Sequence, residues 1–330
     1  MTEPADLYEA IHAEMEQVLI GNEAIVEGLT VSLLSGGHVL LEGVPGVAKT
    51  TIANLFAAVS GLEYSRIQMT PDILPADITG TYIYREQTGE FELQKGPVFA
   101  NVVLADEINR ATPKTQSALL EAMQEQRVTI ENDTLELPEP FIVVATQNPI
   151  EMEGTFSLPE AQRDRFQLKL TVGIPDREDE HELLDRFDQE PGLGPDAVER
   201  VLTRQELLDA RERVTETYVA PVIKEYVLDL VGATRERSEL AHGASPRASL
   251  AFLNAAKARA AIRGREYVIP DDVKALAEPI LAHRIVRSTD AELSDVSHRD
   301  IVATIVDDVE PPTGDEALQA TTAVSDGGDV

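Results

Sequence analysis

One stretch restricts this chain more than any other: Gly43-Val44-Pro45-Gly46-Val47-Ala48-Lys49-Thr50. An apolar run, Val39-Leu40-Leu41, precedes it, and a helical pattern, Thr51-Ile52-Ala53-Asn54-Leu55-Phe56-Ala57, follows it. Strand, glycine-bearing loop, Lys-Thr and helix together form the setting of a phosphate-binding loop. Glycines let successive backbone N–H groups turn toward an anion, and the helix N-terminus adds partial positive charge. Lys49 is placed to reach β- and γ-phosphates, and the Thr50 hydroxyl to hold Mg²⁺. Gly43 to Thr50, with Thr51, are therefore the candidate nucleotide-binding residues. The usual pattern has glycine where this chain has Ala48. A methyl group there calls for negative φ, so the special backbone geometry is expected earlier, at Pro45 and Gly46.

The alternation continues along the chain. Helical patterns cover about residues 5–19, 23–34, 51–59 and 114–125. Strand-like runs are Tyr64–Met69, Asn101–Ala105, Phe141–Ala145 and Lys169–Val172. Residues 79–98, and 127–130 with 134–137, read as two hairpins. The expected fold is α/β: a P-loop NTPase parallel sheet with flanking helices, followed by a small C-terminal all-helical domain. Ligands of such sheets lie at the carboxyl ends of the strands, where Lys49, Asp106 and Asn148 all fall. Residues 1–175 are expected to form the nucleotide-binding core and 176–200, rich in Asp, Glu, Pro and Gly, a linker. Residues 201–308 are expected as the helical domain, opened by the capping box Thr203–Glu206, and 309–330 as an acidic disordered tail.

Composition narrows the setting. None of the 330 residues is cysteine or Trp, so disulfides and thiolate metal sites are excluded. No apolar run reaches the ~18 residues of a membrane span, and the acidic start lacks a signal peptide's basic region. These features point to a cytoplasmic protein with no membrane insertion. The six histidines show no ligand spacing. Net charge is −31, with seven Lys and 21 Arg. That balance argues against broad nucleic-acid binding and suggests life in concentrated salt, where a Debye length of about 3 Å at ~1 M screens self-repulsion.

Further positions carry candidate chemistry. Asp106 and Glu107 close a buried strand: Asp106 suits Mg²⁺, and Glu107 suits deprotonation of an attacking water. Their structural alternative is an ordinary acidic strand end. Asn148 can hold the water or touch the γ-phosphate, or simply form an Asn-Pro turn. Arg165, with Arg163 as a competitor, can stabilise charge on a neighbouring subunit's γ-phosphate, or make a surface ion pair. Arg247 opens a helix whose dipole it opposes, which suggests a reach toward phosphates, unless solvent accounts for it.

These residues resemble the MoxR family of AAA+ ATPases, of the helix-2-insert clade. Gly43 to Thr50 is similar to the family's G-x-P-G-x-A-K-T loop, in which Ala48 is the regular residue. Arg66-Ile67-Gln68-Met69-Thr70-Pro71-Asp72-Ile73-Leu74-Pro75-Ala76-Asp77 resembles its R-I-Q-x-T-P-D-L-L-P-x-D segment. Asp106-Glu107-Ile108-Asn109-Arg110-Ala111 is similar to the Walker B stretch, Ala145 to Pro149 to sensor 1, and Gly243 to Ala248 to sensor 2. Leu158 to Phe166 resembles L-P-E-A-Q-x-D-R-F, with Arg163 where the family is usually apolar, which leaves Arg165 as the finger. The resemblance covers about residues 5–305. It implies ATP and Mg²⁺ as cofactors, ATP hydrolysis and a homo-oligomeric ring, expected as a hexamer. It further implies a lid role for the helical domain, inserts at 79–98 and 127–138 facing the pore or client, and chaperone-like work with a von Willebrand factor A-domain partner. The competing readings are a metal-chelatase-type or DNA-acting motor and a nucleotide-gated scaffold. The three cations of the inserts, Arg85, Lys95 and Arg127, are few for DNA, and Glu107 has no use in a scaffold. A phosphotransferase fits less well, because small kinases lack a following helical domain that bears an arginine.

Overall fold

Helical spacing of Leu7, Ile11 and Met15 builds α1 (Pro4–Glu16), and a nearly all-apolar stretch builds α2 (Glu23–Ser35). The computed structural model describes residues 3–87, 89–149 and 155–313. Between the two helices Gly21 and Asn22 adopt φ of 66° and 64°, left-handed values that end a helix. Then come β1 (Val39–Glu42), α3 (Lys49–Ser60), β2 (Tyr64–Gln68) and α4 (Pro75–Thr79). The first hairpin is β3 (Gly80–Arg85) with β4 (Glu90–Lys95). β5 (Val102–Asp106) and α5 (Pro113–Glu125) precede the second, β6 (Arg127–Ile130) with β7 (Asp133–Glu136). β8 (Ile142–Gln147), α6 (Glu160–Arg163) and β9 (Leu168–Thr171) complete this part.

Five strands form one parallel sheet in the order β2-β5-β8-β1-β9. Side chains alternate across it. Val39 and Leu41 join the core built with Leu7, Leu29 and Phe56, whereas Leu40 joins the opposite core with Ile78 and Leu119. Burial on both faces explains why these strands read as continuous apolar runs.

Residues 176–200, expected as a linker, carry helix α7 (Arg177–Gln189). Asp176 accepts from the amides of Glu178 and Asp179, and the acids of the first turn favour the dipole. The acidity that suggested a linker is thus helix-capping chemistry. None of the residues of α7 is buried. The rest is α8 (Arg204–Glu216), α9 (Pro221–Glu236), β10 (Leu240–His242), α10 (Pro246–Ile262), α11 (Pro270–Leu281), β11 (Val286–Arg287), α12 (Thr289–Leu293) and α13 (His298–Asp308). The Thr203–Glu206 capping box is present. The short antiparallel β10–β11 ribbon is an addition to the expected helices; strands of three and two residues are too short to leave a period. Helices of this domain share one hydrophobic cluster with α1 and α2, and Arg259 pairs with Glu27 at 2.7 Å. Most of the expected tail, from residue 314, lies outside the described residues.

Candidate nucleotide site

The loop between β1 and α3 is shaped by two left-handed residues. Gly46 has φ 90°, and a Cβ there would meet nothing within 4 Å, so conformation rather than space requires glycine. Ala48 has φ 60° and ψ 20°, which overturns the expectation of negative φ. An alanine so placed costs about 1–2 kcal/mol, strain of the kind found at ligand clamps. Ala48 is the N-cap of α3, its carbonyl accepting from Ile52 N at 2.9 Å. Gly43 is demanded by contact: a Cβ would lie 2.6 Å from the Val172 carbonyl oxygen.

Lys49 Nζ donates to the carbonyls of Gly43 and Val44 at 2.5 and 2.9 Å, spanning the loop. Burial lowers its pKa, against the opposing pull of Asp106 and Glu107. Thr50 Oγ1 lies 3.4 and 3.3 Å from the two Asp106 carboxylate oxygens. Adjacent ligands of an octahedral Mg²⁺ at about 2.1 Å stand roughly 3.0 Å apart, so this pair fits one such ion. Asp106 is buried. Thr146 Oγ1 donates to its Oδ1 at 2.7 Å, and Arg66 Nη2 to its Oδ2 at 2.5 Å. Glu107, next in the chain, has φ 57°, and its N–H donates to the same Thr146 oxygen at 2.8 Å. Its carboxylate pairs with Arg110 at 2.7 Å. Asn148 follows β8 at the same sheet edge, its carbonyl accepting from Asn109 Nδ2 at 3.5 Å. Phosphate loop, Asp106, Glu107 and Asn148 therefore share the carboxyl edge of adjacent strands.

Sequence reasoning gave no role to Arg66 or Thr146, although both lie in the motifs above; for Thr146 the signal missed was a polar residue inside an otherwise buried strand. A third pair, Glu42 with Lys169 at 2.7 Å, ties the end of β1 to β9. Burial would raise the Glu42 pKa, but Lys169, the Gln147 amide and Arg163 outweigh it and hold it below the usual range.

Arg165 and Arg247 are elsewhere. In the parallel register Val39 pairs with Leu168 and Glu42 with Thr171. Arg165 precedes the start of β9, whereas the phosphate loop follows the end of β1, so they occupy opposite sheet edges. Four residues of strand separate these edges by about 13 Å. Arg165 and Arg247 line one cavity of about 220 Å³ with Gly36 and Gly37, which precede β1.

A parallel sheet of this order, a phosphate loop with a facing acidic pair and a following helical lid define an AAA+ ATPase. The model of the ATPase family associated with various cellular activities (AAA) matches residues 38–168, and the AAA lid domain model matches 232–305. The chain is 46% identical to chaperone MoxR1 of Mycobacterium tuberculosis, covering 91% of this chain and 81% of that one. It is 43% identical to the uncharacterised protein YeaC of Bacillus subtilis over 92% and 95% of the two chains. A crystal structure of a candidate ATPase from Cytophaga hutchinsonii superposes with a TM-score of 0.86 at 40% identity, covering 94% of this chain and 96% of that one. The chain belongs to the MoxR family of AAA+ ATPases. Among the described residues no helix is long and apolar enough to cross a membrane.

Proposed function

We propose that the chain hydrolyses ATP with Mg²⁺ inside a ring of identical subunits and uses the cycle to remodel a protein client. Residues Gly43 to Thr51 cradle the phosphates, with the Lys49 ammonium at the β- and γ-phosphates. Thr50 and Asp106 would hold the metal, which when bound would supply positive charge to neutralise that of the phosphates. Glu107 accepts the proton of the attacking water and Asn148 orients that water, so the γ-phosphoryl passes to water and ADP leaves. The single observation that carries this reading is the contact chain Thr50–Asp106–Thr146–Glu107, which supports a metal ligand and a base beside the phosphate loop. Arg165 and Arg247, on the opposite edge from their own loop, serve the nucleotide of the next subunit. The placement of both on one cavity supports action in trans for both.

A protein client is favoured over DNA because every insert cation named above is engaged. Arg85 pairs with Glu92 at 2.7 Å, Arg127 with Glu125 at 3.2 Å, and Lys95 lies 5.0 Å from the Phe99 ring centre. The β3–β4 hairpin instead exposes Tyr84 and Phe91, their rings 5.3 Å apart. The chaperone name of MoxR1 supports the remodelling role, and the family resemblance supplies the hexamer and the von Willebrand factor A-domain partner. Glu107→Gln tests the reading. It should retain ATP binding while kcat falls ~100-fold or more, the scale of lost general-base catalysis; turnover at the wild-type rate would remove Glu107 from the mechanism.

A further inference from the structure

The segment that bears Arg165 is gripped by the lid of its own chain. Arg284, just beyond α11, has a side chain only 2% exposed, and its Nε donates to Asp164 Oδ1 at 2.9 Å. Its other nitrogens donate to the carbonyls of Phe166 at 2.6 Å and Gln167 at 3.0 Å. His283 Nε2 donates to the same Phe166 carbonyl at 3.0 Å. The second oxygen of Asp164 accepts from Ser245 Oγ at 2.8 Å, and Ser245 is the N-cap of α10, its Oγ accepting from the Arg247 amide at 3.1 Å. One carboxylate thus binds the lid on both sides. It is the chain neighbour of Arg165, and it holds the cap two residues before Arg247.

We propose that Asp164 is the positioning residue that locks Arg165 and Arg247 into one unit, so that the lid and the Arg165 segment move together and present both guanidiniums to the neighbouring subunit's nucleotide. The inference rests on the action of these arginines in trans. With the Ile280 carbonyl, which accepts from Nη1 at 2.5 Å, the buried guanidinium has four partners, and it does not detach to follow a loose loop. A lid displacement on nucleotide exchange is therefore carried into the next site by this linkage. Asp164 touches no nucleotide of its own subunit, since it shares the far sheet edge with Arg165.

The test uses the full chain assembled with Mg²⁺ and ATP. Asp164→Asn should lower kcat at least ~10-fold, while the KM and the affinity for a fluorescent ATP analogue stay within about twofold of wild type. Mixed with Lys49→Ala subunits, it should regain activity, because the Lys49→Ala chain supplies an intact Asp164 and Arg165 to a competent loop. A merely structural lesion would not be repaired by a partner. Wild-type kcat, or a loss of ATP binding in cis, overturns the proposal. Arg165→Ala mixed with Lys49→Ala is the reference. If that mixture is not rescued, the reading of Arg165 as acting in trans fails; if it is rescued and the Asp164→Asn mixture is not, this inference alone fails. Should Asp164→Asn not fold, Ser245→Ala, which removes the link toward Arg247 together with the α10 cap, must show the same kcat-specific and trans-rescued loss; wild-type kcat there also overturns the proposal.

Discussion

Thr146 is the residue on which two others depend. Its hydroxyl is fully buried, donates to Asp106 at 2.7 Å and accepts from the Glu107 amide at 2.8 Å. That second bond holds Glu107 at φ 57°, a conformation non-glycine residues seldom adopt. Thr146→Val keeps the shape but leaves an amide and one carboxylate oxygen without this partner, at a cost of about 1–3 kcal/mol. ATPase kinetics should show kcat reduced by ~10-fold or more, since about 1.4 kcal/mol is tenfold in rate, whereas Thr146→Ser should stay near wild type. Equal activity of Val and wild type would mean that Glu107 is held by other contacts. The place of Asp106 and Glu107 after an apolar run was readable, and it is what the roles proposed for them start from. The role of Thr146 was not, because it depends on β8 lying beside β5, and neither was the left-handed Ala48, because backbone dihedrals are decided by the closed loop.

Among elements, α10 and α11 are stapled by a single carboxylate. Asp272, fully buried, accepts from Arg259 at 2.7 Å, from Arg265 at 2.7 and 2.6 Å, and from the Ile269 amide at 3.0 Å. Removing its charge leaves two guanidiniums facing a neutral amide, a loss of about 3–5 kcal/mol. Asp272→Asn should therefore lower Tm by on the order of 10 °C in calorimetry; an unchanged Tm would mean that the pairing merely offsets its own desolvation. In sequence this residue reads as a first-turn acid of a helix, which it also is. Its two arginine partners are brought to it by packing of α10 on α11. Likewise the helix α7 was hidden because its capping acids resemble a linker's composition, while α3 and α5 declared themselves by period and the buried sheet strands by continuous apolar runs.

For the whole molecule, net charge sets the behaviour. At −31, long-range repulsion opposes the compact state and the association of subunits alike. Screening by salt relieves both, so Tm should rise steadily between dilute buffer and ~2 M KCl, where the Debye length falls to a few ångströms; a Tm independent of salt would contradict this. The sequence by itself determined the phosphate loop, the parallel α/β core, the lid helices and the acidic pair, because each is written in residues close together in the chain. Only the tertiary structure decided which sheet edge each group occupies. Arg165 and the phosphate loop are separated by the register of β1 against β9, and Asp164 meets Arg284 across 120 residues of chain. Periodicity and capping signals act over a few residues, whereas contacts at that separation depend on how the helices close over the sheet.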